Sequence, residues 1–177
     1  TNRYATIKPL ATSSEVGEQG RITEVYNMGA DGVRIVEINT YFDTVKSVKT
    51  TTDATTGVKT TTLTLKDSKL TSTELVNFAK KDAVLYTVAD GKLMSLTAAE
   101  SVTGVLSKVS TVNGADTFTV GGETYKLAAQ ATVDKAGILG ASNANVGKNI
   151  SLYVDTYGNL IASVDTTAAA TASTFVK

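Results

Sequence analysis

Apolar and polar positions alternate along most of this chain, and the alternation is broken at intervals by turn residues. Ile150–Val154 and Leu160–Val164 are two β-rich runs flanking Tyr157-Gly158-Asn159, where Gly158 can take the positive φ of a tight hairpin. Val84–Val88 and Leu93–Leu96 flank Asp90-Gly91 in the same way. Each copy carries a Leu-Tyr pair entering the turn, Leu85-Tyr86 and Leu152-Tyr153, and Gly-Lys-Leu or Gly-Asn-Leu leaving it. This is an internal repeat. Arg21–Tyr26 and Val33–Ile38, around Asn27–Gly32, read as a third hairpin of the same kind.

The repeat sets the rest of the pattern. A first unit spans about Asn39 to Glu100. In it Tyr41–Thr52 reads as one long strand, Asp53–Gly57 as a turn and Val58–Lys66 as a returning strand. Thr71-Ser-Thr-Glu74 has capping-box spacing and predicts a short helix over Thr73–Lys80. A second unit spans about Ser101 to Asp165. Val102–Val112, Thr117–Val120 and Glu123–Leu127 are its strands, separated by Asn113-Gly114 and Gly121-Gly122; a glycine-weakened helix follows within Asp134–Val146. Three strands, a helix and a hairpin is the order of small five-stranded barrels. The prediction is therefore a mainly β chain of tandem OB-like or SH3-like barrels, with one short helix each. Residues 1–38 form a partial N-terminal unit ending in a hairpin, and 39–100 and 101–165 are the two barrel units. Residues 166–177 are a linker and the start of a further strand. Units this small bury only about 60% of their extended-chain surface, so neighbours are expected to touch.

Composition narrows the chemistry. Lys+Arg and Asp+Glu are equal at 17 each, which argues against a general polyanion binder. No apolar run reaches the ~20 residues of a membrane span. Cys, His and Trp are all absent, excluding disulfides and thiolate or imidazole metal sites. Threonine is unusually abundant, at thirty residues, and suits exposed pleated surface. Together these suggest an extracellular scaffold.

Gly20–Tyr26 with Arg34–Tyr41, Val102-Thr-Gly104-Val105, Gly122-Glu-Thr-Tyr125-Lys-Leu127 and Leu152–Ile161 carry a likeness to known proteins. They resemble the repeat regions of S-layer and S-layer-homology-domain surface proteins of Gram-positive bacteria. The likeness spans roughly Gly20 to Asp165. The wall-anchoring module, with its Trp and Phe-x-Asp signature, has no counterpart here. The resemblance thus implies an ectodomain fragment that reaches cell-wall polymer only through modules outside this chain.

Candidate sites are few. Asn27–Gly32 resembles a calcium loop only at Asp31-Gly32, with Ile38 where the twelfth-position Glu should stand, and reads as a plain turn. Asp155 and Asp165 read as single solvated carboxylates. Tyr26, Tyr41, Tyr86, Tyr125, Tyr153 and Tyr157 could stack on sugar or single strands, but Tyr86 and Tyr153 hold repeat positions that predict packing. The Asn149-Ile-Ser151 sequon is expected to be unused, and Thr50–Thr62 would permit O-linked sugar.

These features predict no catalytic, cofactor or metal residue. The expected function is a non-catalytic structural module at the bacterial cell surface, acting as spacer or assembly unit. Its partners would be neighbouring repeats and other surface-layer subunits, without nucleic acid or a membrane span. A carbohydrate-binding module of a secreted protein is the alternative, and nucleic-acid binding on a barrel face is suggested by topology alone. As a separate piece, the chain is expected to be a soluble monomer or weak oligomer.

Overall fold

A computed structural model describes residues 19–66, 69–73, 77–89 and 92–164. The strands are β1 (Ile22–Asn27), β2 (Val33–Thr44), β3 (Ser47–Thr52), β4 (Lys59–Thr64), β5 (Lys69–Ser72), β6 (Ala83–Ala89) and β7 (Lys92–Ala98). They continue as β8 (Glu100–Val112), β9 (Ala115–Val120), β10 (Glu123–Lys126), β11 (Asn149–Val154) and β12 (Leu160–Ser163), with the short helix α1 (Lys135–Leu139) after β10. All strand pairs are antiparallel and make three open sheets, ordered β1-β2-β6-β7, β3-β4-β5 and β10-β9-β8-β11-β12.

Two strand sets share one plan. In the first, residues 39–44 of β2 pair with β6, β6 pairs with β7, and β3-β4-β5 is a meander. In the second, residues 100–105 of β8 pair with β11, β11 pairs with β12, and the rest of β8 makes a meander with β9 and β10. β1 pairs with residues 33–38 of β2 as the hairpin that precedes both sets. A left-handed residue stands two positions before each hairpin's first strand: Gly20, Lys81 and Gly147, with φ of 83, 81 and 86°.

Each set has its own core. Val45, Leu63, Leu65, Leu70 and Val84 are buried together in the first, with Val48, Phe78, Tyr86, Leu93 and Leu96 packed on them. Leu106, Phe118, Val120, Ile138, Leu139, Leu152, Val154 and Leu160 anchor the second. Asp134 caps α1 by accepting from the Gly137 N–H, and Gly140 ends it with φ 67°. Burial of Ile138 and Leu139, rather than helix propensity, keeps so short a helix in place.

Several expectations change. The strand expected over Tyr41–Thr52 is broken at Val45-Lys46, because the chain changes partners there: Val45 bonds to Asp82 and Lys46 to Thr64. Residues Lys69–Ser72 form β5, with Leu70 in the core and Thr71 Oγ1 3.0 Å from Thr62 Oγ1, where a capping box was expected to begin a helix. Glu74, Leu75 and Val76 lie outside the described residues, and Asn77–Lys81 is turn and irregular backbone. Among the described residues α1 is the single α-helix, and no closed barrel is seen. The outer strands β10 and β12 are not paired with each other in the sheet; the residue after β10, Leu127, makes one isolated parallel bridge to Leu160.

The two Leu-Tyr pairs are also not equivalent. Val45 and Leu106 fix the correspondence, since each bonds to the residue just before β6 or β11, Asp82 or Lys148. Leu85 lies three residues past Asp82, whereas Leu152 lies four past Lys148. A one-residue offset reverses the face. Both leucines are buried, Leu152 in its own set's core and Leu85 in a third cluster between the sets.

Candidate functional site at the junction of the two strand sets

The third cluster is the seam where the two sets meet. Leu85, Ala128, Ile161 and Ala162 are buried in it, and Phe42, Ala99, Ala131 and Tyr153 pack against them. Four alanines contribute little side chain, which lets backbones approach closely and leaves the apolar volume to Phe42, Leu85, Tyr153 and Ile161. Phe42 and Tyr153 meet with ring centroids 4.9 Å apart, tilted by 31°. Ala128 N–H donates to Leu160 O at 2.8 Å and Thr132 N–H to Ile161 O at 2.7 Å, so the segment after β10 is tied to β12 as it crosses the seam.

Asp155 sits beside this seam, and its predicted exposure is overturned: it is 4% exposed. Its Oδ1 accepts from the N–H of Tyr157 at 2.9 Å and of Asn159 at 2.8 Å, and Asn159 Nδ2 reaches both carboxylate oxygens. The carboxylate thus supplies the acceptors that the Asp155–Asn159 turn needs. A Cβ on Gly20 would stand 2.2 Å from Asp155 Oδ2, so the chain entering β1 is packed directly on this turn. Nearby, Ala129 N–H donates to Gln19 O, and Asn39 Oδ1 accepts from Arg21 Nε at 3.2 Å and Gln130 Nε2 at 3.4 Å. The entry to the first hairpin is therefore held by the second strand set.

A cavity of about 450 Å³ opens on the seam, lined by Leu85, Thr97, Glu100, Val154, Asp155 and Gly158 among others. Its buried carboxylate is already engaged by the turn. A second cavity, of about 530 Å³, lies beside α1. Lys135 and Asp116, both in its lining, pair at 3.1 Å, and Thr111 Oγ1 donates to the same carboxylate. Those two hydrogen bonds, with Lys135's charge, hold Asp116 below the usual carboxylate range. Asp53 is lowered as well, by the N–H groups of Thr56 and Thr55 in the β3–β4 turn.

The remaining sequence candidates are dispersed. Asn27 Oδ1 accepts from Gly29 N–H within a 3-10 turn, and among the described residues no three acidic side chains gather as a metal site. Asp165 lies outside the described residues. Tyr86 packs on the first core and stacks on Tyr41 at 5.5 Å, Tyr125 packs on the second core and Tyr153 on the seam. Tyr26 and Tyr157 are exposed on different hairpins. Asn149 is exposed at the start of β11.

The abundant hydroxyls pair across strands: Thr50 with Thr61, Thr62 with Thr71, Thr87 with Ser95, Thr103 with Ser151 and Thr119 with Thr124, all within 3.1 Å. Such cross-strand pairs stabilise sheet faces that water reaches, except at Thr61, whose hydroxyl is fully buried and satisfied by Thr50. No described helix is long and apolar enough to cross a membrane. The seam had no signal in the sequence beyond alanines at Ala99, Ala128, Ala131 and Ala162, whose shared location depends on the fold. No family model, curated protein or solved structure matches this chain, so its function is read from the junction itself.

Proposed function

We propose that the chain is a non-catalytic structural module, a spacer or assembly unit, of an extracellular bacterial surface protein of the S-layer type. Its units, 39–100 and 101–165, would be five-stranded barrels of OB-like or SH3-like connectivity, preceded by the closing hairpin of a further unit. The parallel bridge to Leu160 of β12 from Leu127, the residue after β10, supports that connectivity. Neighbouring repeats and other surface-layer subunits would be the partners, with cell-wall polymer bound only elsewhere in the parent protein.

The observation that carries this reading is the sharing of a strand. The first half of β2 belongs to the β1 hairpin, and its second half pairs with β6. β7 passes into β8 through Ala99 alone, and Ala99 N–H bonds back to Ala83 O at 2.9 Å. No flexible linker separates the units, so bending the chain between them must open a hydrogen-bonded ladder and the Phe42–Tyr153 seam. That resistance is what a spacer requires. A carbohydrate-binding module would need two coplanar exposed rings in one groove, and the exposed tyrosines among the described residues, Tyr26 and Tyr157, are on separate hairpins.

Pulling the chain from its ends in a single-molecule force experiment tests the proposal. Two unfolding events are expected, each releasing roughly 20 nm, from about 60 residues at ~3.5 Å per residue. One event releasing both sets together, or saturable binding on a glycan array, would count against it.

A further inference from the structure

The first hairpin has the face of a closing hairpin without the element that covers one. Val45 and Leu106 align the sets, and continuing that alignment backward along β2 sets Ile35 opposite Leu96. The cross-strand pair Val25–Ile35 then matches Tyr86–Leu96. In the first set Tyr86, Leu93 and Leu96 lie under the β3-β4-β5 meander, packed on Leu63, Leu65 and Leu70. On the β1–β2 hairpin the corresponding face is open: Val25 is 62% exposed, Val33 42% and Ile35 38%.

A second observation concerns the backbone. Lys81 N–H donates to Val45 O at 2.7 Å, and Gly147 N–H donates to Leu106 O at 2.8 Å. In each case the left-handed residue before a hairpin is tied to the point where its own set's first strand enters the meander. Gly20 has the same conformation and position, but its N–H has no hydrogen-bond partner among the described residues.

We propose that the Val25–Val33–Ile35 face is the seat of a three-stranded meander from a preceding unit of this same kind, docked as β3-β4-β5 dock on β6-β7. The carbonyl of that unit's apolar pivot residue, the counterpart of Val45 and Leu106, accepts from Gly20 N–H. The inference rests on the tandem-unit reading and names the partner surface that the reading leaves open. The occupant is recognised by two features: an apolar row like Leu63, Leu65 and Leu70, and one backbone carbonyl. Adjacent surface units would then be joined by core packing instead of surface contact.

The test replaces residues 1–19 by a copy of residues 100–146, so that this segment runs directly into Gly20 of the otherwise complete chain. A second graft uses residues 39–80. Hydrogen exchange is read at Gly20 and along β1 and β2, with β6, β7, β11 and β12 as internal references. At least tenfold slower exchange of the Gly20 amide and of the first hairpin is expected in at least one graft. Val25→Asp should abolish that slowing while leaving the ungrafted chain's unfolding midpoint unchanged.

Unchanged exchange in both grafts overturns the inference, as does concentration-dependent protection in the ungrafted chain, which would identify a second copy as the occupant. If the reference hairpins are themselves unprotected, it is the tandem-unit reading that fails. Protected references beside an unchanged first hairpin sink this inference alone.

Discussion

Lys81 and Gly147 do the same work in the two strand sets. Each adopts a left-handed backbone, with φ of 81 and 86°, and each donates its N–H to the pivot carbonyl of its set, Val45 or Leu106. Their side chains are irrelevant to that role, which is why one position can hold lysine and the other glycine. The conformation still penalises a Cβ by roughly 1–2 kcal/mol.

Lys81→Gly is therefore expected to stabilise the chain by about 0.5–1 kcal/mol, the relieved strain being partly offset by a more flexible unfolded state. Gly147→Ala should destabilise it by about 1–2 kcal/mol, since no atom lies within 4 Å of the added Cβ and only backbone strain acts. Urea unfolding midpoints measure both. A destabilised Lys81→Gly variant would contradict the assignment.

Two other glycines separate steric from conformational demand. A Cβ on Gly104 would meet Gly121 Cα at 2.5 Å and N at 2.6 Å, both unyielding backbone atoms of the turn after β9. Gly104→Ala should thus cost about 1–3 kcal/mol through overpacking and disturb β8 against β9. A Cβ at Gly158 meets nothing within 4 Å but φ stays at 78°, so Gly158→Val has an expected cost of about 1–2 kcal/mol from backbone strain. Amide chemical shifts should change across β8 and β9 in the first variant and stay within the β11–β12 turn in the second.

The seam predicts a coupling between the two strand sets. Ile161→Ala, at a fully buried position, should cost about 2–5 kcal/mol. A double-mutant cycle on Phe42 and Tyr153, each changed to Leu, is expected to return about 0.5–1.5 kcal/mol for the ring pair. Leu85→Ala should speed exchange at Ala99 and Thr132, whereas Leu152→Ala should act on β8, β9 and α1. Identical exchange patterns for the two leucine variants would mean that they share a core after all.

Acid should weaken the fold through two named carboxylates. Asp53 and Asp116 are both held below their ordinary values, by turn N–H groups in one case and by Thr111 and Lys135 in the other. A depressed native value stabilises above the unfolded value, about 3.9, and that contribution is lost as pH falls through the native one. The urea midpoint should therefore be level from pH 8 to 5, with no histidine to titrate there, and fall below about pH 4. Asp116→Asn should reduce that fall, and an unchanged acid slope would remove Asp116 as a contributor.

The three hairpins were legible because their cause is local. Turn residues and the alternating apolar residues beside them act over a few residues, and Ile22–Asn27, Ala83–Ala89 and Asn149–Val154 all pair in hairpins, Asp90-Gly91 itself lying outside the described residues. Threonine abundance likewise announced water-facing sheet, and the hydroxyl pairs are its physical form. What the chain alone did not determine was where a strand changes partners. Nothing in Tyr41–Thr52 marks Val45, since the break comes from bonds to Asp82 and Lys81, far along the chain. The same distance effect separated Leu85 from Leu152: matched Leu-Tyr pairs differ by one residue in register, and register is set by partner strands. Asp155 appeared solvated until the turn folded around its carboxylate and Gly20 closed over it. Sequence therefore determined the hairpins and the mainly β class, whose forces act between near neighbours. The seam, the open sheets and the bare face of the first hairpin were decided by tertiary structure, because each depends on which distant strands share a ladder.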